Sequence, residues 1–308
     1  MVSWDKVFLR LGDGEVVLIE YAIVSGILFG IFYAFFAVGL NLVFGVQRIV
    51  NLAHGDVVML GAFGTWELYH TLHWSPLFAV IFTVPPAIVA GFILYYGLAG
   101  RLAKSFDPEM VSLILFFGIS QVIEAVTTLV ASNNQRSLPD TTIASHPVRF
   151  LSHSYPVSLW AVAAISAPAL LLLVAYLYRT RLGRATRAIM ADPAEAASVG
   201  INVKKVSSIS FGVGIALAAA SGSLSIFMFG GVNPNEGVAI TVTAFAIIVI
   251  GSLGNPVGTI VGGLIYGVIF EITQVYATSW ANLVPYVLLL LVMLIKPSGI
   301  LGKGTRYA

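Results

Sequence analysis

Side chains that could do acid–base or metal chemistry are few and scattered in this chain. The stretch AHGD places His54 two residues before Asp56. Residues at that spacing point to different faces of a helix, so this pair does not form a metal site by itself. The chain also has no cysteine, which excludes thiol catalysis, disulfides and Cys-based metal sites. We therefore expect no catalytic site, no bound metal and no cofactor.

The stretch PSGILGKGT, residues 297–305, mimics a nucleotide-binding loop. Such a loop needs Gly at its first position and Ser or Thr after its Lys, where this chain has Pro297 and Gly304. The stretch also follows an apolar helix instead of a buried strand. A nucleophile elbow and a dinucleotide-binding fingerprint are absent from the sequence as well. The chain is therefore not expected to be an enzyme or to hydrolyse ATP by itself.

The elements that carry these residues are predicted to be membrane helices. The 308 residues are 58% hydrophobic and only 10% charged, against about 25% charged residues in soluble domains. The net charge of +2 indicates no nucleic-acid partner. A span needs about 20 mostly apolar residues, and candidate spans lie at about 19–40, 55–70, 76–97, 110–130, 158–178, 207–229, 238–254, 256–276 and 280–296. We predict an all-α polytopic membrane protein, a single transmembrane domain over residues 1–308 with about 8–10 transmembrane helices, including broken helices.

Three acids fall within or near the ends of these predicted spans. Burying a carboxylate in a membrane is costly, so such acids are functional candidates. Glu67 and Glu271 are predicted near the outer ends, where water is close. Glu124 is the better candidate for a pathway residue, and the alternative is that it pairs with Gln121 or with a partner subunit. The sequence has no succession of acids or histidines along its helices, which argues against a proton-driven carrier.

A first break interrupts the apolar pattern at GLNLVFGVQRIVNLAHGDVVMLGAF, residues 39–63. Non-helical backbone at membrane depth occurs only where it is buried in protein or lines a wet cavity, and broken helices are a recurring feature of transporters. One interpretation is a bent segment at a translocation pathway or its cytoplasmic gate. The alternative is a cytoplasmic turn in which Asn51 or Asp56 caps a helix. The predicted pathway residues are Asn41, Asn51, His54, Gly55, Asp56 and Glu124.

A second break, IGSLGNPVGTIVGGLIYG, covers residues 250–267. Gly254 and Pro256 open an apolar helix there, while Gly258 and Gly262 provide a small face for close helix packing. Paired breaks are typical of transporters built from internal repeats. We expect such small-residue faces to pack against helices, within the chain or across a pair of permeases.

Basic residues predict which side of the membrane each loop faces. The 179–206 segment has six basic residues against two acidic ones, and the tail contributes Lys296, Lys303 and Arg306. Both are predicted to be cytoplasmic, and the even number of spans between them agrees. The C-terminus is then cytoplasmic, whereas the 131–157 loop and the N-terminus lie outside.

These stretches resemble the inner-membrane permeases of branched-chain amino acid ABC importers. The 39–63 stretch is similar to their N-terminal signature, GRATRAIMADPAEAASVGIN (183–202) to their cytoplasmic loop, and AFAIIVIGSLGNPVGTIVGGLIYGVIFE (244–271) and LLLLVMLIKPSGILGKG (288–304) to their late segments. The resemblance implies an importer permease subunit in the cell inner membrane, with a second homologous permease, two cytoplasmic ABC ATPase subunits and a periplasmic substrate-binding protein as partners. Branched-chain or related amino acids are the expected cargo. The alternatives are urea, amides or aromatic acids as cargo, an ion-coupled secondary transporter, and an intramembrane enzyme.

In such importers a short cytoplasmic helix of the permease fits a groove in the ATPase, so the resemblance makes 179–206 a coupling loop. Asp192 and Pro193 suit the start of that helix, and Gly200 suits its end. Small alanines would allow close contact with the groove. The alternative is an ordinary basic cytoplasmic loop. The predicted coupling residues are Asp192, Pro193, Glu195, Ala196, Ala197 and Gly200.

Overall fold

A computed structural model describes residues 13–74, 76–102, 105–139 and 147–302 of the chain. Within them, seven helices are long and apolar enough to cross a membrane, and one further apolar helix is shorter. The prediction of an all-α polytopic membrane protein is confirmed. Several residues used to predict sidedness, including Lys303, Arg306 and the N-terminal twelve, lie outside the described residues, as does part of the 131–157 loop.

The helices are, in chain order, α1 Asp13–Gln47, α2 His54–Leu72, α3 Ala79–Leu94, α4 Pro108–Ala131, α5 Val157–Arg179, α6 Arg181–Ala191, α7 Pro193–Ser198, α8 Val203–Met228, α9 Gly237–Gly251, α10 Pro256–Tyr276 and α11 Val284–Ile295. Short helical turns at Pro76–Phe78, Tyr95–Ala99, Gly100–Leu102 and Thr278–Leu283 extend α3 and α11. The largest buried apolar cluster joins α1, α5, α8 and α9 at the centre of the bundle. The nine predicted spans therefore match helices, with α2 at the 55–70 span.

Close helix packing depends on glycine where α1 meets α10. A Cβ atom on Gly267 would lie 2.5 Å from the Gly30 Cα, and one on Gly263 would lie 2.6 Å from the Ala34 nitrogen. Gly61 of α2 and Gly222 of α8 meet the facing helix in the same way. Lipid tails are as apolar as the helices, so the hydrophobic effect does not drive helix association in a membrane. Van der Waals contact at short range drives it instead.

The first break is shorter than predicted. α1 continues to Gln47, so Asn41 lies inside the helix, and only residues 48–53 are non-helical. Arg48 adopts a positive φ of 55° directly after the helix. The N-cap of α2 is Ala53, which makes no side-chain cap hydrogen bond. The alternative that Asn51 or Asp56 caps this helix is therefore wrong.

One end of the bundle gathers the segments that we predict to be cytoplasmic. A Cβ atom on Gly45, near the end of α1, would lie 3.0 Å from the Gly254 Cα and 3.2 Å from the Met190 Cε of α6. The Ile300 N–H of the tail donates to the Ile250 carbonyl at the end of α9, at 2.8 Å. The end of α1, the second break, the 179–206 loop and the tail thus lie at the same end, whereas the connection after α1 leads from there to the first residues of α9.

The opposite end carries the described parts of the 131–157 loop. Strands β1 (Val148–Phe150) and β2 (His153–Tyr155) form an antiparallel hairpin there. The Ser152 N–H donates to the Glu20 carboxylate at 2.9 Å, and Arg136 and Val232 exchange two backbone hydrogen bonds. The sequence gives no signal for this hairpin, because strands of three residues are too short to show an alternating pattern.

Candidate functional site

The two breaks meet in one joint through the side chain of Asn41, which is fully buried. Its Nδ2 donates to the carbonyls of Asn255 at 3.0 Å and Ser252 at 3.3 Å, and to the Thr259 hydroxyl. Its Oδ1 accepts from the Gly254 N–H at 2.6 Å. Gly254 has a φ of +76°, a conformation that glycine adopts without strain. Asn41 therefore holds α1 to the α9–α10 turn, and its place in a pathway stays a prediction.

Replacing Asn41 by leucine is expected to destabilise the protein markedly. The change would leave the Gly254 N–H without its acceptor, at about 1–3 kcal/mol for a buried group left unpaired, and would remove the Asn41 bonds to the Ser252 and Asn255 carbonyls, which keep their backbone donors. Thermal unfolding in detergent measures the effect. Asn235→Leu is the matched control, because Asn235 lies exposed at the other end and bonds Asn133 there. Equal midpoints for Asn41→Leu and wild type would contradict the role of Asn41 in the joint.

The remaining glycine and proline residues of the second break shape the same joint. Pro256 is the first residue of α10, and the Asn255 side chain caps the helix by accepting from the Gly258 N–H at 3.2 Å. A Cβ atom on Gly258 would lie 2.5 Å from the Gly251 carbonyl oxygen. Gly262 contacts the backbone of α9 equally closely. These residues thus let α9 and α10 pack backbone to backbone directly after the turn.

A buried polar cluster lies where the first turn of α2 meets α1 and α9. His54 and Asp56 are both fully buried. The His54 Nε2 is 3.0 Å from the Phe36 carbonyl oxygen of α1, whereas the Gly55 N–H donates to the Thr241 hydroxyl of α9 at 2.8 Å. His54 and Asp56 therefore act on different helices, and the described residues include no group of three or more His, Asp or Glu side chains that could hold a metal.

The Asp56 and Glu124 carboxylates converge on the first residue of α9. A Cβ atom on Gly237 would collide with the Asp56 Oδ1 and would lie 3.2 Å from the Glu124 Oε1. The Glu124 Oε1 accepts from the Val238 N–H at 3.4 Å, so its partner is this backbone group and not Gln121. Within the described residues, neither Asp56 oxygen has a donor in hydrogen-bond geometry. The N-terminal dipole of α9 favours negative charge at this position.

The other predicted polar residues lie in different surroundings. Asn51 is 1% exposed, and its Oδ1 has no hydrogen-bond partner in the described chain. Glu271 is 6% exposed and accepts from the Ser25 hydroxyl at 3.1 Å. The prediction that water is close to Glu271 is therefore wrong, because α1 covers it. Glu67 is exposed, as predicted.

The short helix α7 begins and ends where the sequence predicted. The Asp192 Oδ1 accepts from the N–H groups of Ala194 at 2.7 Å and Glu195 at 2.9 Å, and Pro193 is the first helical residue. Gly200 follows with a φ of +85°. The carboxylate cap satisfies N–H groups that no helical carbonyl can reach.

Two of the three alanines of α7, Ala196 and Ala197, have different surroundings. Ala196 is 3% exposed and packs in a cluster with Val46, Ile189 and Val206 from α1, α6 and α8. Ala197 and Glu195 are exposed, and the neighbouring Val199 is 76% exposed. One face of α7 is thus fixed to the bundle, while the other offers small and apolar groups to a partner. Val199 is not among the residues predicted from the sequence, because its exposure is a property of the fold.

A cavity of about 680 Å³ lies beside α7, and the sequence analysis did not predict it. Pro193 at the start of α7 lines it together with the basic residues Arg48, Arg101 and Lys204. The Lys204 Nζ lies 5.5 Å from the centre of the Tyr96 ring. The surface around the exposed face of α7 is therefore basic, which suits acidic side chains on a partner.

Comparison with known proteins identifies the family. The family model described as "Branched-chain amino acid transport system / permease component" matches residues 22–293. The high-affinity branched-chain amino acid transport system permease protein LivH of Escherichia coli K12 is 28% identical over 296 residues, which cover 91% of this chain and 94% of LivH. The corresponding permease protein BraD of Pseudomonas aeruginosa is 28% identical over 291 residues, covering 91% and 95%.

A more distant relative is the probable branched-chain amino acid transport permease protein LivH of Methanocaldococcus jannaschii. It is 24% identical over 304 residues, which cover 94% of this chain and 93% of that protein. No solved structure matches the chain significantly. Since the family match covers nearly the whole chain, this protein belongs to the family of branched-chain amino acid transport system permease components, which are membrane transport proteins and not enzymes.

Proposed function

We propose that this chain is the permease subunit of an ATP-driven importer for branched-chain or related amino acids. Its partners would be a second homologous permease, two cytoplasmic ABC ATPases and a periplasmic binding protein. Beside the family membership, the proposal rests on the exposed face of α7, which presents Glu195, Ala197 and Val199. Small and apolar groups exposed on this capped helix would suit a partner that covers them.

The packing of α7 supports a coupling role. Ala196 contacts the cluster that includes Val46 near the end of α1 and Val206 in the first turn of α8. Interiors packed at this density transmit displacement instead of absorbing it. An ATPase that pushes α7 would therefore displace the ends of α1 and α8, and with α1 the Asn41 joint to the α9–α10 turn. Alternating access would follow from this motion.

The polar cluster supports a gate at the first turn of α9. Gly55 and Asp56 bring the first turn of α2 against α9, His54 ties the same turn to α1, and Glu124 brings α4 to the start of α9. Asn51 lies buried in the connection before them. A carboxylate buried as fully as Asp56 is costly to keep in this arrangement. A rearrangement that hydrates Asp56 would lower the free-energy cost of burying its carboxylate. The contact between Asp56 and the first turn of α9 is therefore a candidate to open and close during transport.

The opposite end supports docking of a binding protein. The described parts of the 131–157 loop pair with the 230–237 turn through Arg136 and Val232, and Asn235 donates to Asn133 at 2.7 Å. The hairpin is in turn tied to α1 through Glu20. These contacts join α1, α4 and α9 beneath one surface, so a protein that docks there would touch the helices that form the proposed gate.

Reconstitution tests the proposed function. Proteoliposomes that contain the full complex should take up labelled leucine only with ATP and a loaded binding protein, and the chain should purify with a second permease and ATPases. Uptake by this chain alone, or uptake that persists after nucleotide depletion, would favour an ion-coupled carrier and contradict the proposal. Uptake of urea, amides or aromatic acids in place of leucine would keep the importer and replace the cargo.

A further inference from the structure

A second cavity, of about 510 Å³, lies at the end of the bundle that holds the 230–237 turn. It is bounded by α1, α9, α10 and the helical turn before α11. Its aromatic lining consists of Tyr33, Phe36, Phe229, Tyr266, Phe270 and Tyr286. Glu236, Thr243 and Asn282 supply polar groups. The volume falls within the range of about 300–1,000 Å³ that is usual for small-molecule sites.

The cavity reaches below the surface of the bundle. α9 begins directly after Glu236 and has 15 residues, which gives about 22 Å of rise at 1.5 Å per residue. Its other end receives the tail at Ile250, and a bilayer core is about 30 Å thick. This rise is less than the thickness of the core, and Glu236 directly before the helix is only partly exposed. Tyr33 and Tyr266, only 3% and 2% exposed, form the deep part of the lining.

The aromatic rings are held in a rigid arrangement. The centres of the Tyr33 and Tyr266 rings are 4.8 Å apart with an interplanar angle of 87°. The Tyr33 and Phe270 rings are 5.9 Å apart at 72°. Edge-to-face packing of this kind is worth about 0.5–1.5 kcal/mol per pair beyond the area buried. The lining therefore presents preformed aromatic surface to a ligand and needs little rearrangement to do so.

The charge of the lining selects the ligand class. Glu236 is the one acid among the described lining residues, and Lys, Arg and His are absent from them. A carboxylate beside aromatic rings suits a cation, because ring faces attract ammonium groups with about 0.5–2 kcal/mol. The Asn282 amide can donate a hydrogen bond to a neutral or anionic group of the same ligand, whereas the Thr243 hydroxyl already donates to the Ala239 carbonyl at 3.0 Å and can only accept. The rest of the lining suits an apolar body.

We propose that this cavity is a transient binding site for an ammonium-bearing apolar solute on its way into the bundle. Glu236 holds the ammonium group, and the aromatic rings hold the apolar side chain. The inference rests on the proposed import function and assigns the cargo a contact inside the permease. Weak binding suits this position, since a solute that passes has to leave as readily as it enters.

Glu236→Gln in the full complex tests the inference. With saturating loaded binding protein, leucine uptake should fall at least fivefold, while ATP hydrolysis stimulated by the binding protein should stay within twofold of wild type. Glu67→Gln is the matched control, because Glu67 is exposed at the same end and outside the cavity; its uptake should be unchanged. Tyr286→Ala, at a half-exposed lining position, should lower uptake without loss of folded protein.

Direct binding gives a second measurement. Labelled leucine should bind the detergent-purified permeases without binding protein. Isoamylamine, which keeps the ammonium group, should compete, and 4-methylpentanoate, which lacks it, should not. Glu236→Gln should weaken binding at least tenfold. Wild-type uptake by Glu236→Gln, no leucine binding by the wild-type permeases, or equal competition by both analogues would overturn this site. If the proposed function were wrong, the result would differ from all of these, because the wild-type complex itself would import no amino acid.

Discussion

Replacing Ala197 by phenylalanine is expected to abolish most ATP-driven uptake while the permease remains folded. Ala197 lies on the exposed face of α7, which we propose to dock in a groove of the ATPase. Overpacking a tight contact costs about 1–3 kcal/mol, and about 1.4 kcal/mol corresponds to a tenfold change in affinity. The subunit contact should therefore weaken by about ten- to a hundredfold. Uptake and binding-protein-stimulated ATP hydrolysis in proteoliposomes measure the loss of coupling.

Two further phenylalanine variants separate coupling from folding. Ala196→Phe changes the alanine that packs against Val46 and Val206, so it should lose folded protein. Ala164→Phe changes an exposed alanine of α5, remote in sequence from the loop, and should leave both uptake and stability unchanged. Glu195→Arg is expected to reduce coupling as Ala197→Phe does, because it reverses an exposed charge on the same helix.

Docking of the binding protein should survive in Ala197→Phe, because that surface is proposed to lie at the opposite end of the bundle. Wild-type uptake together with wild-type stimulated ATP hydrolysis would show that residues 192–200 form only an ordinary cytoplasmic loop. Loss of binding-protein docking would show instead that the substitution disturbs the whole bundle.

Replacing Gly55 by leucine is expected to prevent correct assembly of the helices around the proposed gate. A Cβ atom at this position would collide with the Gly237 carbonyl oxygen, and it would lie 2.6 Å from the Thr241 hydroxyl oxygen and 2.7 Å from its backbone nitrogen. The obstacles include backbone, which cannot swing aside as a side chain can. The cost should reach or exceed the upper end of the about 1–3 kcal/mol typical of overpacked cores.

Thermal unfolding and monodispersity in detergent measure the effect of Gly55→Leu. Gly118→Leu is the matched control, because a Cβ atom on this glycine of α4 meets nothing within 4 Å. Its stability should be unchanged or higher, since replacing glycine by a better helix former gains up to about 1 kcal/mol. Equal stability of Gly55→Leu and wild type would mean that α2 and α9 do not pack as closely as described.

The sequence by itself determined the fold class, most of the spans and the local shape of the 179–206 loop. Spans are readable because membrane insertion depends on the summed hydropathy of about 20 consecutive residues. The bounds of α7 are readable because the Asp192 cap, Pro193 and Gly200 act on their own neighbours in the chain. Close packing at small residues such as Gly258 was also predictable, because a helix face made of small residues allows another helix to approach.

Only the tertiary structure decided which of these faces meet. Asn41 bonds groups more than 200 positions away, Asp56 and Glu124 meet at Gly237, and Glu271 is covered by α1 where the sequence suggested water. In a soluble helix the polar face marks the outside. Lipid is as apolar as a protein core. The pattern along a membrane helix therefore does not distinguish the face that meets another helix from the face that meets lipid. Contacts between residues distant in the sequence decide which face is buried.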